Sequence, residues 1–114
     1  MMTDEARQFL LTTAWIFRRH GQNARARAVV EALVDANPRD GVAAVALAEL
    51  MLEEGESANA IQALHSADVP KDLAHAAAVL ETRALRLARR DREAAEHWRR
   101  HIESQKGSER KWTA

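Results

Sequence analysis

Apolar and polar residues alternate along this chain with helical rather than strand spacing. From Thr3 or Asp4, either of which can cap a helix, Phe9, Leu10, Thr13, Ala14 and Phe17 share one face as far as His20, with Leu11 and Trp15 off that stripe. Gly21 and Asn23 predict a turn. A second helix is expected from about Ala24 to Ala36, with Ala26, Val29, Val30 and Leu33 inward, and Asn37-Pro38 ends it. The same order then returns: a helix from about Gly41 to Glu54, a turn at Gly55, and a helix from Ser57 to Ala67. A third round runs from about Lys71 to Ala88, turns at Arg89–Asp91 and continues to about Ser104. Pro70 falls two residues early for strict repetition, which predicts a shortened fourth helix and a fifth extended by the same amount.

The rounds superpose at a period of 34: Ala14, Ala48 and Thr82; Phe17, Met51 and Leu85; Ala26, Ala60 and Ala94; Val30, Leu64 and Trp98. Gly21 and Gly55 keep the step, and Arg89 stands where a third glycine would fall. Without glycine, the third turn is expected to use another geometry or to strain Arg90 or Asp91. A fixed period in this range marks helix–turn–helix units that bury their apolar faces only by stacking. The order within a unit resembles the tetratricopeptide repeat (TPR), W-x-x-L-G-x-x-Y, then A-x-x-x-F, then P. The expected fold is therefore all-α, with three TPR-like units (about 7–38, 41–70 and 71–104) forming a short right-handed solenoid. A flexible N-terminus (1–6) and a polar C-terminal tail (105–114), polar except for Trp112, flank this 7–104 domain.

At 114 residues the chain makes one domain, and its 46% hydrophobic fraction with only 4% aromatics predicts a thin, alanine-rich core that a partner would finish. The formal net charge is zero, which gives no global field for nucleic acid. Its distribution is uneven: +2 over residues 1–39, −6 over 40–72 and +4 over 73–114. An acidic middle unit between basic ends suits a polypeptide ligand of mixed charge, and equally suits chance variation among solvated faces. No cysteine is present, which excludes disulfides and thiolate chemistry and fits a reducing compartment. No apolar run approaches the roughly 20 residues of a membrane span, and Met1 to Ala6 has no secretory pattern. The expected location is cytoplasmic, without membrane insertion.

Few residues point to chemistry. His97 and His101 lie one helical turn apart, but no third ligand completes a metal site; His20, His65 and His75 stand alone and read as structural. No glycine-rich phosphate loop exists, and none of the serines has a nucleophile's setting. Glu53-Glu54 lacks an apolar pocket to raise a carboxyl pKa. The arginines Arg83, Arg86, Arg89, Arg90 and Arg92 are interleaved with Glu81, Asp91, Glu93 and Glu96, the pattern of a solvated helix rather than a nucleic-acid patch. The reading is of a non-enzyme with no catalytic residue, cofactor or metal.

The first helix of each unit carries more information. Its face not used for packing the second helix holds Gln8, Leu11, Trp15, Arg18 and Arg19 in unit one. Unit two supplies Val42, Val45, Glu49, Leu52 and Glu53; unit three supplies Val79, Arg83, Arg86 and Leu87. An apolar floor with charged edges is what recognises an amphipathic helix, with Trp and Arg as usual anchors. The alternative for Trp15 is packing on the N-terminal flank or in a self-association interface. The Lys/Asn-rich lining that clamps a C-terminal carboxylate is absent.

Phe9-Leu10-Leu11-x-x-Ala14-Trp15, through Gly21 to Ala26-x-x-Val29-Val30-x-x-Leu33 and Pro38, resembles the small TPR chaperones of bacterial type III secretion, the YscY/SctY type. The resemblance spans about Arg7 to Ser104; it departs at Ala14, where glycine is usual, and at the third turn. It implies a cytoplasmic virulence-associated chaperone that stabilises a small secreted partner of the YscX/SctX type as a heterodimer. As a pair the two would engage the export gate's cytosolic ring, of the YscV/SctV type. Leu11, Trp15, Val45, Leu52, Val79 and Leu87 would cover the partner's helix, and Arg18, Arg19, Glu49, Glu53, Arg83 and Arg86 would fix its register. The rivals are a sibling chaperone for needle subunits or translocators, a generic TPR adaptor, and an enzyme or nucleic-acid binder. Self-association is the expected fate of an unfilled groove.

Overall fold

The computed structural model describes residues 2–113, with side chains through Gly107. Among these, the chain is all-α: α1 (Asp4–Arg19), α2 (Asn23–Ala36), α3 (Gly41–Glu53), α4 (Ser57–His65), α5 (Ala74–Leu87) and α6 (Asp91–Thr113), with a 3₁₀ turn at Lys71–Leu73. Thr3 caps α1 by accepting from the Ala6 N–H, so helix begins inside the segment expected to be flexible. At the other end α6 runs on past Ser104 to Thr113, where a polar tail was expected; the Trp112 side chain lies outside the described residues. The early Pro70 shortens α4 to nine residues, and the 3₁₀ turn takes up the slack that a longer α5 was expected to absorb.

The 34-residue period reports the backbone directly. After α1, α3 and α5 the chain makes the same turn, with Gly21, Gly55 and Arg89 all at positive φ (74°, 80° and 64°). The N–H groups of Gln22, Glu56 and Arg90 donate to the carbonyls of Phe17, Met51 and Leu85, at 2.8, 2.9 and 2.8 Å. Those of Gly21, Gly55 and Arg89 donate to Arg18, Leu52 and Arg86. This double bond pattern is the Schellman motif, which closes the last turn of a helix. The third turn thus keeps the geometry of the other two, and the strain sits on Arg89 itself rather than on Arg90 or Asp91.

The helices pack in chain order, each on the next, and α3 also packs on α5. Two apolar clusters result. Ala14, Ala26, Val30, Leu47 and Leu50 join α1, α2 and α3; Val45, Ala48, Leu52, Ala60, Leu64, Leu80 and Ala84 join α3, α4 and α5. Alanine at the closest crossings lets helix axes approach. Gly41 has a related role: a Cβ there would lie 2.2 Å from the Asp68 carbonyl oxygen and 2.7 Å from Pro70 Cδ. The α4–α5 connection is thereby laid against the start of α3, where the Asp68 N–H donates to Arg39 O at 3.0 Å. On α1 the inward stripe is narrower than expected: Ala14 is buried and Phe17 half-buried, but Phe9 is 70% exposed.

Charges tie the first unit to the second. Arg7 of α1 clasps Asp40 with two hydrogen bonds of 2.6 and 2.9 Å, and Asp40 also caps α3 by accepting from the Ala43 N–H at 3.2 Å. Arg18 reaches Glu49 and Glu53, while Arg27 reaches Glu54 and Glu56. The Arg7 hydrogen bond holds the Asp40 carboxyl below its usual range despite burial, and Arg27 with Asn59 brings Glu56 down to about 2. The charge difference between residues 1–39 and 40–72 is therefore largely paired inside the molecule.

Arg89→Gly should raise stability by about 1 kcal/mol, the strain of a left-handed non-glycine residue, in chemical or thermal unfolding. Asp40, with its folded pKa depressed, stabilises the fold above the unfolded carboxyl value of about 3.9, and that stability is lost as pH falls through the lower folded value. Asp40→Asn should thus flatten the acid limb of the stability profile between about pH 5 and 2. Asp40→Ala, which also removes the cap, should lower stability by about 2–3 kcal/mol at pH 7.

Candidate functional site

The proposed groove residues divide into three sets. Val45 and Leu52 are each only 8% exposed and belong to the α3–α4–α5 core, so they are not on an open floor. The reason is that α3, GVAAVALAELMLE, is apolar nearly all round, so α2, α4 and α5 all pack on it and its Val45 and Leu52 positions are covered. Second, Arg18, Glu49 and Glu53 engage one another: Arg18 Nη2 donates to Glu49 at 2.7 Å and Glu53 at 2.5 Å, joining α1 to α3. The Arg18 hydrogen bond lowers the Glu49 pKa against a burial cost, and Arg83 of α5 adds to the lowering through space. These charges brace the fold as well as edging a surface.

The third set remains open. Trp15 is 58% exposed, and the Arg19 guanidinium lies 5.2 Å from its ring centroid in cation–π geometry. Leu11 on the preceding turn of α1 is half-buried, Leu87 at the end of α5 is 52% exposed, and Val79 is half-buried. Val79, Arg83 and Arg86 line a shallow cavity of about 190 Å³ with Thr82 and Trp98. Surviving solvent-facing apolar positions thus lie on α1 and α5, at the two sides of α3.

A histidine cluster escaped the sequence reading, which took His65 and His75 as solitary. Glu81, largely buried on α5, bridges His65 Nε2 at the end of α4 and His97 Nδ1 of α6, the latter at 2.7 Å. His97 Nε2 is buried without a hydrogen-bond partner among the described residues. Beside it His75 Nδ1 lies 3.1 Å from His101 Nε2, and Trp98 packs against both rings. Burial, then His75 and His97, push the His101 pKa down. The arrangement clamps α4, α5 and α6 together. The 16 residues from Glu81 to His97 give no local signal for it, because only the α5–α6 pairing brings them together. Among the described residues no group of three or more His, Asp or Glu is placed to hold a metal ion, and no helix is long and apolar enough to cross a membrane.

Comparison of the chain with protein-family models, with curated proteins and with solved structures gives no match.

The division between core and open surface is measurable. Leu52→Ala should cost about 2–4 kcal/mol of unfolding free energy, whereas Trp15→Ala, losing only an exposed cation–π contact, should stay within about 1 kcal/mol of the parent.

Proposed function

We propose that the chain is a short TPR solenoid that holds an amphipathic helix of another protein, as a chaperone of the type III secretion YscY/SctY kind. The observation that carries this reading is the threefold return of one Schellman turn at 34-residue spacing, coupled to an exposed Trp15 on the first helix. The turn supports a stack of helix pairs. Trp15, with Arg19 over its ring, is the type of anchor that dominates helical interfaces.

The groove is narrower in this proposal than the apolar pattern alone implies. Leu11 and Trp15 grip one side of the bound helix, and Val79 and Leu87 the other. Arg19, Arg83 and Arg86 set its register against acidic positions. Val45 and Leu52 support this floor from beneath. Arg18, Glu49 and Glu53 form its paired midline. The protein acts by binding, without catalysis, cofactor or nucleic acid, in the cytoplasm. The partner is of the YscX/SctX type, and the pair docks on an export gate of the YscV/SctV type.

Co-expression with such a partner tests the proposal. The expected result is a heterodimer that survives about 0.5 M salt, where the Debye length is under about 5 Å, and a melting temperature that rises with partner concentration. Trp15→Ala should weaken capture by at least about tenfold. Equal capture by Trp15→Ala, or no capture of any such partner, overturns the reading.

A further inference from the structure

Helix α1 has a second apolar face that none of the described residues covers. Phe9 is 70% exposed and Ile16 45% exposed, two helical turns apart on one line. Thr12 and Thr13 lie between them, and the Thr13 hydroxyl donates to the Phe9 carbonyl at 2.8 Å. Trp15 lies about a quarter-turn away around the helix, on the surface discussed above. The opposite end of the helix order is different: α6 shows solvent Arg92, Glu93, Glu96, Arg99, Arg100 and Glu103. One end thus has the polar outer face of a terminal cap, and the other does not.

We infer that this face pairs with a second copy of itself, α1 against α1 in antiparallel orientation about a twofold axis. The residues are placed symmetrically for it. With the axis midway between Thr12 and Thr13, Phe9 meets Ile16 of the second copy, and Ile16 meets its Phe9. The same axis sets Glu5 in the first turn of each helix opposite His20 at the C-terminal end of the other. An isologous contact needs self-complementarity of this kind, since every pair occurs twice. It also sets each helix's positive N-terminal end beside the other's negative C-terminal end. A contact between two helices of sixteen residues falls in the small interface class, below about 1,200 Å². Its dissociation constant is therefore expected in the micromolar range. The inference uses a different face from the partner groove and does not rest on the proposed function.

Sedimentation velocity of the full chain from about 1 to 200 μM, spanning the weak-interface range, is the test. The expected result is a concentration-dependent dimer whose Kd rises at least about tenfold in Phe9→Ser/Ile16→Ser. The far-UV circular dichroism of that variant should be unchanged, because both side chains are already exposed. Glu5→Lys alone should weaken the dimer, and Glu5→Lys with His20→Glu in the same chain should recover it, since both new charges again meet their opposites. A wild-type chain monomeric throughout, a Phe9/Ile16 variant that dimerises as well as wild type, or a charge exchange no tighter than Glu5→Lys alone would each overturn the inference. Partner capture through Trp15 should persist in the Phe9/Ile16 variant, so the two readings fail separately.

Discussion

Helix α3 sets the terms for the rest of the molecule. Along its body Ala43, Ala44, Val45, Leu47, Ala48, Leu50 and Leu52 are all buried, and its charged edge at Glu49 and Glu53 is what chiefly meets water. A helix apolar over most of its circumference cannot rest on one neighbour, so α2, α4 and α5 all close on it. Their small residues Ala26, Ala60, Ala78 and Ala84 permit that approach. Each buried leucine is worth about 1.5–3 kcal/mol in transfer free energy, which makes coverage of α3 the main apolar term available to so alanine-rich a chain.

Electrostatics completes what packing begins. The two polar residues on the body of α3, Glu49 and Glu53, both accept from Arg18, and its cap is clasped by Arg7. Arg27 does the same for Glu54 and Glu56 just beyond the helix. Such pairs contribute little individually when exposed, but Asp40 is largely buried and doubly bonded, where a missing partner is costly. The unequal charge of the first two units is a device for joining them.

The fold was legible where the signal was local and repeated. The period of 34 located the turns, the small residues at close crossings and the inward positions Ala26, Val30 and Leu33, because each unit imposes the same backbone geometry at the same step. Element ends were less legible: α6 continues over residues whose polarity reads as tail, since a polar helix needs only propensity and one packed face. The candidate surface was legible in part. Trp15 and Leu87 are open, as amphipathic spacing on α1 and α5 implies, but the same spacing could not distinguish Val45 and Leu52 as core. That distinction depends on how many neighbours α3 has, which is a tertiary fact. The Glu81 clamp between His65 and His97 was invisible for the same reason, and Phe9, spaced eight residues from Phe17 and so within about 80° of it around the helix, looked inward although its neighbour is solvent.

Function on this account follows from the ends of the stack rather than its middle. With α3 sealed, the apolar side chains left to solvent gather mainly on α1, at Trp15 on one face and at Phe9 and Ile16 on another, with Leu87 across on α5. The central claim is that α3 is the shared core on which both outer helix pairs depend. Native-state hydrogen exchange tests it most directly. The account predicts that the amides of α3 exchange only through global unfolding, with protection matching the full stability, while those of α1 and α6 open at lower free energy. Amides of α3 that exchange as readily as those of the outer helices would contradict it.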